Sequence, residues 1–203
     1  MTWKQPAWMP ENVDIRYRPW REFRAAENDA GAFVAEGHAS LFNELTVDLG
    51  GFREQVAPGA FAETIERDDI VALFNHDSNI PLGRTSAGTL RLKEDERGLF
   101  SSIDIPVSQP AIREAIVRGD VESQSIAFMV EGEEDEVWEV IDGTPIRTIL
   151  RARLLDASPV VFPAQPKTDV AKRSLERAVA AGRLNPRYDW LGYQQARLRQ
   201  KNL

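Results

Sequence analysis

The sequence predicts an α+β fold, mainly an antiparallel β-barrel with a few short surrounding helices. Six to eight short runs of β character are separated by turn residues, while only two or three stretches repeat apolar residues at helical spacing. Paired runs flank turn chemistry at Lys93 to Gly98 and at Asp142-Gly143, which asks for hairpins and so for antiparallel neighbours. The chain has 203 residues, 42% of them hydrophobic, enough for one core plus peripheral sequence.

Residues 1–32 are rich in Trp, Pro and Arg (Trp3, Trp8, Trp20, Pro6, Pro10, Pro19) and show no clean period. They read as an irregular N-terminal extension, ending at most in a short strand. Residues 33–167 form the main domain. Phe33 to Phe42 reads as a strand with a bulge or close approach at Gly37, and Asn43 to Gly51 as a loop. After Pro58-Gly59, Phe61 and Ile65 fall on one face of a short helix. A buried-looking strand over 70–75 ends at His76. Gly88 to Lys93 and Leu99 to Ile105 make a hairpin around the charged turn. Pro110 opens a helix over 109–118, with Ile112, Ala115 and Ile116 inward and Gly119 past its end. A strand over 122–130 follows, then a hairpin of Val137 to Ile141 with Ile146 to Leu155, then a strand over 158–162 stopped by Pro163. In residues 168–203, Thr168 or Asp169 caps a helix running to Ala181 and closed by Gly182. Its apolar stripe of Val170, Leu175 and Val179 is thin and suits the barrel exterior or a partner. The tail after it is polar and basic.

Composition removes several functions. Without cysteine there is no disulfide, thiolate nucleophile or thiolate metal site. Two histidines far apart do not make a zinc site, Glu131 to Glu136 lacks the alternating ligands of a calcium loop, and no phosphate-binding glycine loop occurs. No cofactor is expected. No apolar run approaches the roughly 20 residues needed to span a bilayer, and no signal peptide is apparent, so the sequence predicts a cytosolic chain without a membrane partner. A net charge of −7 argues against a direct nucleic-acid role.

Few side chains remain for catalysis at neutral pH. A serine hydroxyl needs a base, histidine is the usual one, and only His76 and His38 are available. His76 follows the apolar run Ile70 to Phe74 within Asn75-His76-Asp77, and Ser125 sits in the β-like segment Glu122 to Phe128. Asp156 is an acid inside an apolar strand, a placement that costs free energy unless it is paired or solvated. It is a candidate partner for His76. Each has a bland reading beside it. His76 could be a hydrogen-bonded strand-end residue, Ser125 a small strand residue, and Asp156 the ion-pair partner of Arg151 or Arg153. An esterase of the common α/β-hydrolase type is disfavoured by the lack of a Gly-x-Ser-x-Gly elbow.

Ten short motifs occur in an order that resembles the caudovirus prohead serine proteases, which are similar in fold to the herpesvirus assemblins. They are Gly37-His38-Ala39-Ser40-Leu41-Phe42-Asn43, Pro58-Gly59-Ala60-Phe61, Leu73-Phe74-Asn75-His76-Asp77, Pro81-Leu82-Gly83-Arg84, Gly88-Thr89-Leu90, Glu94 to Leu99, Arg118-Gly119-Asp120-Val121, Ser125-Ile126-Ala127-Phe128, Leu155 to Val160, and Pro163-Ala164. The resemblance covers about residues 33–170. It implies His76 as general base and Ser125 as nucleophile. Ser123 stands where relatives have glycine and reads as a decoy. Asp156 matches a position often held by Glu and is the favoured third member; His38 is the alternative, because assemblins use a second histidine. Arg147, Arg151 and Arg153 are candidates for the oxyanion.

The implied function is a serine endopeptidase of capsid maturation, inside the assembling prohead in the bacterial host cytoplasm. Major capsid protein and scaffold would be its substrates, with cleavage of itself and possible self-association. The competing expectation is a catalytically silent capsid-assembly or scaffold-binding protein on the same fold.

Overall fold

The computed structural model describes residues 7–10, 12–18, 23–27, 33–162 and 169–184. Strands dominate and helices are few, in keeping with an α+β fold. They form three sheets. The first has, in spatial order, Asp14–Arg18 (β1), Ser123–Met129 (β9), Arg153–Val160 (β12), Val71–Leu73 (β5) and Pro81–Arg84 (β6). Its neighbours are antiparallel except β12 with β5. The second is antiparallel throughout: Arg24–Glu27 (β2), Phe33–Leu41 (β3), Gly98–Asp104 (β8) and Leu90–Glu94 (β7). The third joins the hairpin Glu136–Ile141 (β10) and Thr144–Ile149 (β11) to Arg53–Val56 (β4), which runs parallel to β11.

No ring of strands closes among the described residues, so the expected closed barrel is not seen. Turn chemistry in the sequence marks hairpins only. The two parallel pairings join strands far apart in the chain, and nothing local announces them.

The segment expected to be irregular contains β1 and β2. In β1, Asp14, Ile15 and Arg16 are all buried, so the charged positions that alternate with apolar ones in the sequence do not face solvent as they would on a half-buried strand. The expected run from Ile146 to Leu155 breaks after Ile149. There the N–H groups of Leu150 and Arg151 donate to the Asp135 carbonyl at 2.8 and 3.1 Å, turning the chain before β12.

Among the described residues three α-helices flank the sheets: Ala62–Arg67 (α1), Pro110–Arg118 (α2) and Asp169–Ala180 (α3). Pro110 opens α2, and Gly119 closes it at φ 80°, a conformation only glycine adopts freely. The main core gathers Ala35 and Ala39 of β3, Phe61, Leu99 and Ile103 of β8, Ile112 and Ile116 of α2, Ile126 and Phe128 of β9, and Leu154 and Ala157 of β12. The apolar stripe of α3 is covered by the chain itself: Leu175, Ala178 and Val179 pack with Leu184 against Leu49, Phe52 and Trp138. Thr168, Pro163, the side chain of Val170 and the basic tail beyond Leu184 lie outside the described residues.

Candidate active site

His76, Ser125 and Asp156 meet on three adjacent strands of the five-stranded sheet. Ser125 lies on β9, Asp156 on the neighbouring β12, and His76 just beyond the end of β5. The His76 ring bridges the other two, with Nδ1 2.9 Å from Asp156 Oδ1 and Nε2 2.8 Å from Ser125 Oγ. An ionised carboxylate only accepts, so Nδ1 carries the proton and Nε2 presents its lone pair to the serine hydroxyl.

A β-bulge aims Asp156. Antiparallel partners share a face, and Leu154 pairs with Phe128 in the core. Two residues further along β12, Asp156 would face the core too. Instead the register shifts between Leu154 and Asp156, so that Asp156 opposes Ala127 and Ser158 opposes Ser125. One extra residue, Leu155, thus turns the carboxylate to the serine's face while Leu154 stays in the core. Asp156 Oδ2 is buried and has no hydrogen-bond partner among the described residues. A carboxylate held by one imidazole gains most when that imidazole becomes cationic.

His76 is presented by a tight turn. Asn75 and His76 both have left-handed backbones, φ 54° and 58°. Asparagine and histidine are among the few side-chain-bearing residues enriched in this region, which still costs free energy unless the surroundings hold it. The turn is pinned from outside: Val161 N–H donates to Asn75 Oδ1 at 2.9 Å, Asp77 Oδ1 accepts from Asn79 N–H at 2.9 Å, and Phe74 N–H reaches the Ile80 carbonyl at 3.0 Å. Leu73 N–H donates to Ser158 Oγ at 2.7 Å, tying the end of β5 to β12.

The other sequence candidates lie elsewhere. His38 is on β3 in the second sheet, with Nε2 2.9 Å from Asp95. Ser123 is on β9, two residues before Ser125. None of the three candidate oxyanion arginines is bonded to Ser125. Arg147 is bound by Asp14, Glu54 and Glu136, Arg151 by Asp135, and Arg153 by Asp68 and Glu131.

Sequence reasoning missed the charged cluster under β1. Arg16 binds Glu54 through Nε at 2.6 Å and Asp14 through Nη2 at 2.9 Å, and Arg147 links Asp14, Glu54 and Glu136. Burial would raise the Asp14 pKa, but Arg16 and Arg147 hold it below its ordinary value. Burial likewise opposes ionisation of Glu136, and Arg147 and Trp138 hold its pKa down. The alternation of charged and apolar residues in Asp14-Ile15-Arg16-Tyr17-Arg18 was the available signal.

All three catalytic candidates are sealed. Ser125 and Asp156 are 0% exposed and His76 1%. Ser125 Oγ also lies 3.1 Å from the Arg16 carbonyl of β1, and Trp8 Nε1 donates to the His76 carbonyl at 3.2 Å. No metal-binding cluster of His, Asp or Glu occurs among the described residues, and no helix there is long and apolar enough to cross a membrane.

A family model described as caudovirus prohead serine protease matches residues 21–180. No curated protein and no solved structure matches the chain.

Proposed function

Because the chain belongs to the caudovirus prohead serine protease family, we propose that it is a prohead maturation endopeptidase using Ser125 as nucleophile, His76 as general base and Asp156 as the orienting acid. The observation that carries the reading is the single imidazole bridging Ser125 Oγ and Asp156 Oδ1. Ser125 Oγ attacks the substrate's peptide carbonyl as His76 Nε2 takes the hydroxyl proton. The imidazolium, held by Asp156, then protonates the leaving amine, and the C–N bond breaks to give an acyl-enzyme. Water attacks next, its proton goes to Nε2, and Ser125 is regenerated with release of the new carboxyl terminus. With Arg147, Arg151 and Arg153 engaged by carboxylates, we propose backbone N–H groups as donors for the oxyanion.

The substrates we propose are scaffold or the scaffolding segment of the major capsid protein, and the enzyme itself, inside the assembling prohead in the host cytoplasm. This acyl transfer needs no cofactor. The catalytically silent reading is favoured by one observation, the complete burial of Ser125.

The two separate on co-expression with a major capsid protein from the same phage or prophage, comparing wild type with Ser125→Ala by intact mass. Defined truncation products with wild type and none with the variant support the protease. Unchanged capsid protein in both, with both proteins present in assembled particles, supports the silent reading instead.

A further inference from the structure

A serine protease must admit an extended chain to its nucleophile, and this site admits none. Residues 7–10 and 12–18 close it in two ways. β1 pairs along β9 with Tyr17 opposite Ser125 and Ile15 opposite Ala127. The residues before β1 then cross the catalytic face, where Met9 and Val13 are buried with Ile15 on Ala127, and Trp8, Met129 and Leu155 pack around them. The serine hydroxyl has one proton and two acceptors, His76 Nε2 at 2.8 Å and the Arg16 carbonyl at 3.1 Å. The blocking strand therefore competes with the base for the proton that catalysis must move.

We infer that the β9 edge is the docking surface for the substrate's backbone, and that residues 7–10 and 12–18 are a built-in pseudosubstrate holding it. Resting on the protease reading above, this explains why a site with its catalytic groups in order is closed. Three features make the segment removable. β1 is the outermost strand of its sheet, so its departure unpairs one ladder and leaves β9 as a free edge that an extended peptide can complete. The charged cluster divides cleanly: Asp14 and Arg16 leave paired with each other at 2.9 Å, while Glu54 stays paired with Arg147 at 2.9 Å. Neither half is left as an uncompensated buried charge. A groove of about 670 Å³ lies on the β5–β6 side of the sheet, lined in part by Trp8, Leu73, Pro81, Leu82 and Arg84, and Trp8 also donates to the His76 carbonyl. Its volume suits a bound segment of chain, and moving Trp8 would extend it to His76.

The chain has no cysteine, so an engineered pair is unambiguous. Antiparallel partners stand about 4.5–5.5 Å apart at Cα, within disulfide range, so Ile15→Cys with Ala127→Cys should lock β1 onto β9. In the full-length protein, Ser125 labelling by a fluorophosphonate and cleavage of co-assembled capsid protein are measured with the pair oxidised and reduced. The inference expects labelling and cleavage to fall at least tenfold on oxidation and to return on reduction. A second variant, Trp8→Ala with Met9→Ala, should label at least tenfold faster than wild type. Equal Ser125-dependent labelling in the oxidised and reduced states would overturn the inference while leaving the protease reading intact. No Ser125-dependent labelling in any form, and no capsid cleavage, would overturn both.

Discussion

Asp156→Asn separates catalytic from structural roles in one residue. The carboxylate accepts from His76 Nδ1 at 2.9 Å and has a second oxygen without a partner among the described residues. An amide can turn its NH2 toward Nδ1, which forces the ring proton onto Nε2, the atom that must accept from Ser125. The charge is lost as well. A carboxylate and an imidazolium about 4 Å apart at an effective dielectric of about 20 attract by roughly 4 kcal/mol, or about a thousandfold in rate. The tautomer error brings the expected loss to about 10⁴-fold, the size of the kcat loss for this substitution in the Ser-His-Asp template. Stability should move the other way, because the variant replaces a buried carboxylate with one unsatisfied oxygen by a neutral group. Relief of about 1 kcal/mol or more raises Tm by a few degrees in a chain of this size. The assay is the time course of capsid-protein truncation by intact mass, with Tm by calorimetry on the same preparations. A folded Asp156→Asn protein cleaving within tenfold of wild type would refute the assigned role.

Other perturbations test the supports of the site. Asn75→Ala removes the acceptor for Val161 N–H and places a residue at φ 54° that resists it, so truncation of capsid protein should slow by tenfold or more; Asn75→Gly, which keeps the backbone freedom, should lose less, and the reverse order would contradict the turn argument. Thr64→Val strips the buried hydroxyl that accepts from Leu154 N–H at 3.0 Å and donates to Asp68 at 3.1 Å. The cost is about 1–3 kcal/mol, read as a Tm lowered by roughly 2–10 °C. The Asp14 and Glu136 pKa values are depressed in the folded protein, so the stability they add is complete above their unfolded values and disappears as pH falls through the folded ones. Glu136→Gln should therefore lower Tm at pH 7 and converge with wild type as pH drops below about 4; a constant Tm gap across that window would rule the linkage out.

Much of this protein is legible locally. Pro110 and Gly119 bound α2 because proline suits the first helical turn and glycine the left-handed cap. Asp142-Gly143 makes the β10–β11 hairpin, with Asp142 at φ 50° and Gly143 at φ 75°, because both central residues of such a turn need positive φ. With no cysteine and two histidines, composition alone narrowed the chemistry to His76 or His38 with a serine. Hairpins, caps and chemical inventory depend on residues a few positions apart, and those the sequence displays directly.

Three matters depended on chain segments that meet only after folding. The parallel pairing of β12 with β5 sets Asp156 opposite Val71, and the turn after β5 brings His76 to its carboxylate, across 80 residues of chain. The bulge at Leu155 decides which face Asp156 takes, and only registry against β9 reveals it. The third is β1, whose buried charges conceal a strand in sequence because the carboxylate and guanidinium partners that neutralise them lie 38 and 133 residues away. A buried charge is tolerable only beside its counter-charge, and which segments supply one another's counter-charges is decided by tertiary contact rather than by neighbours in the chain.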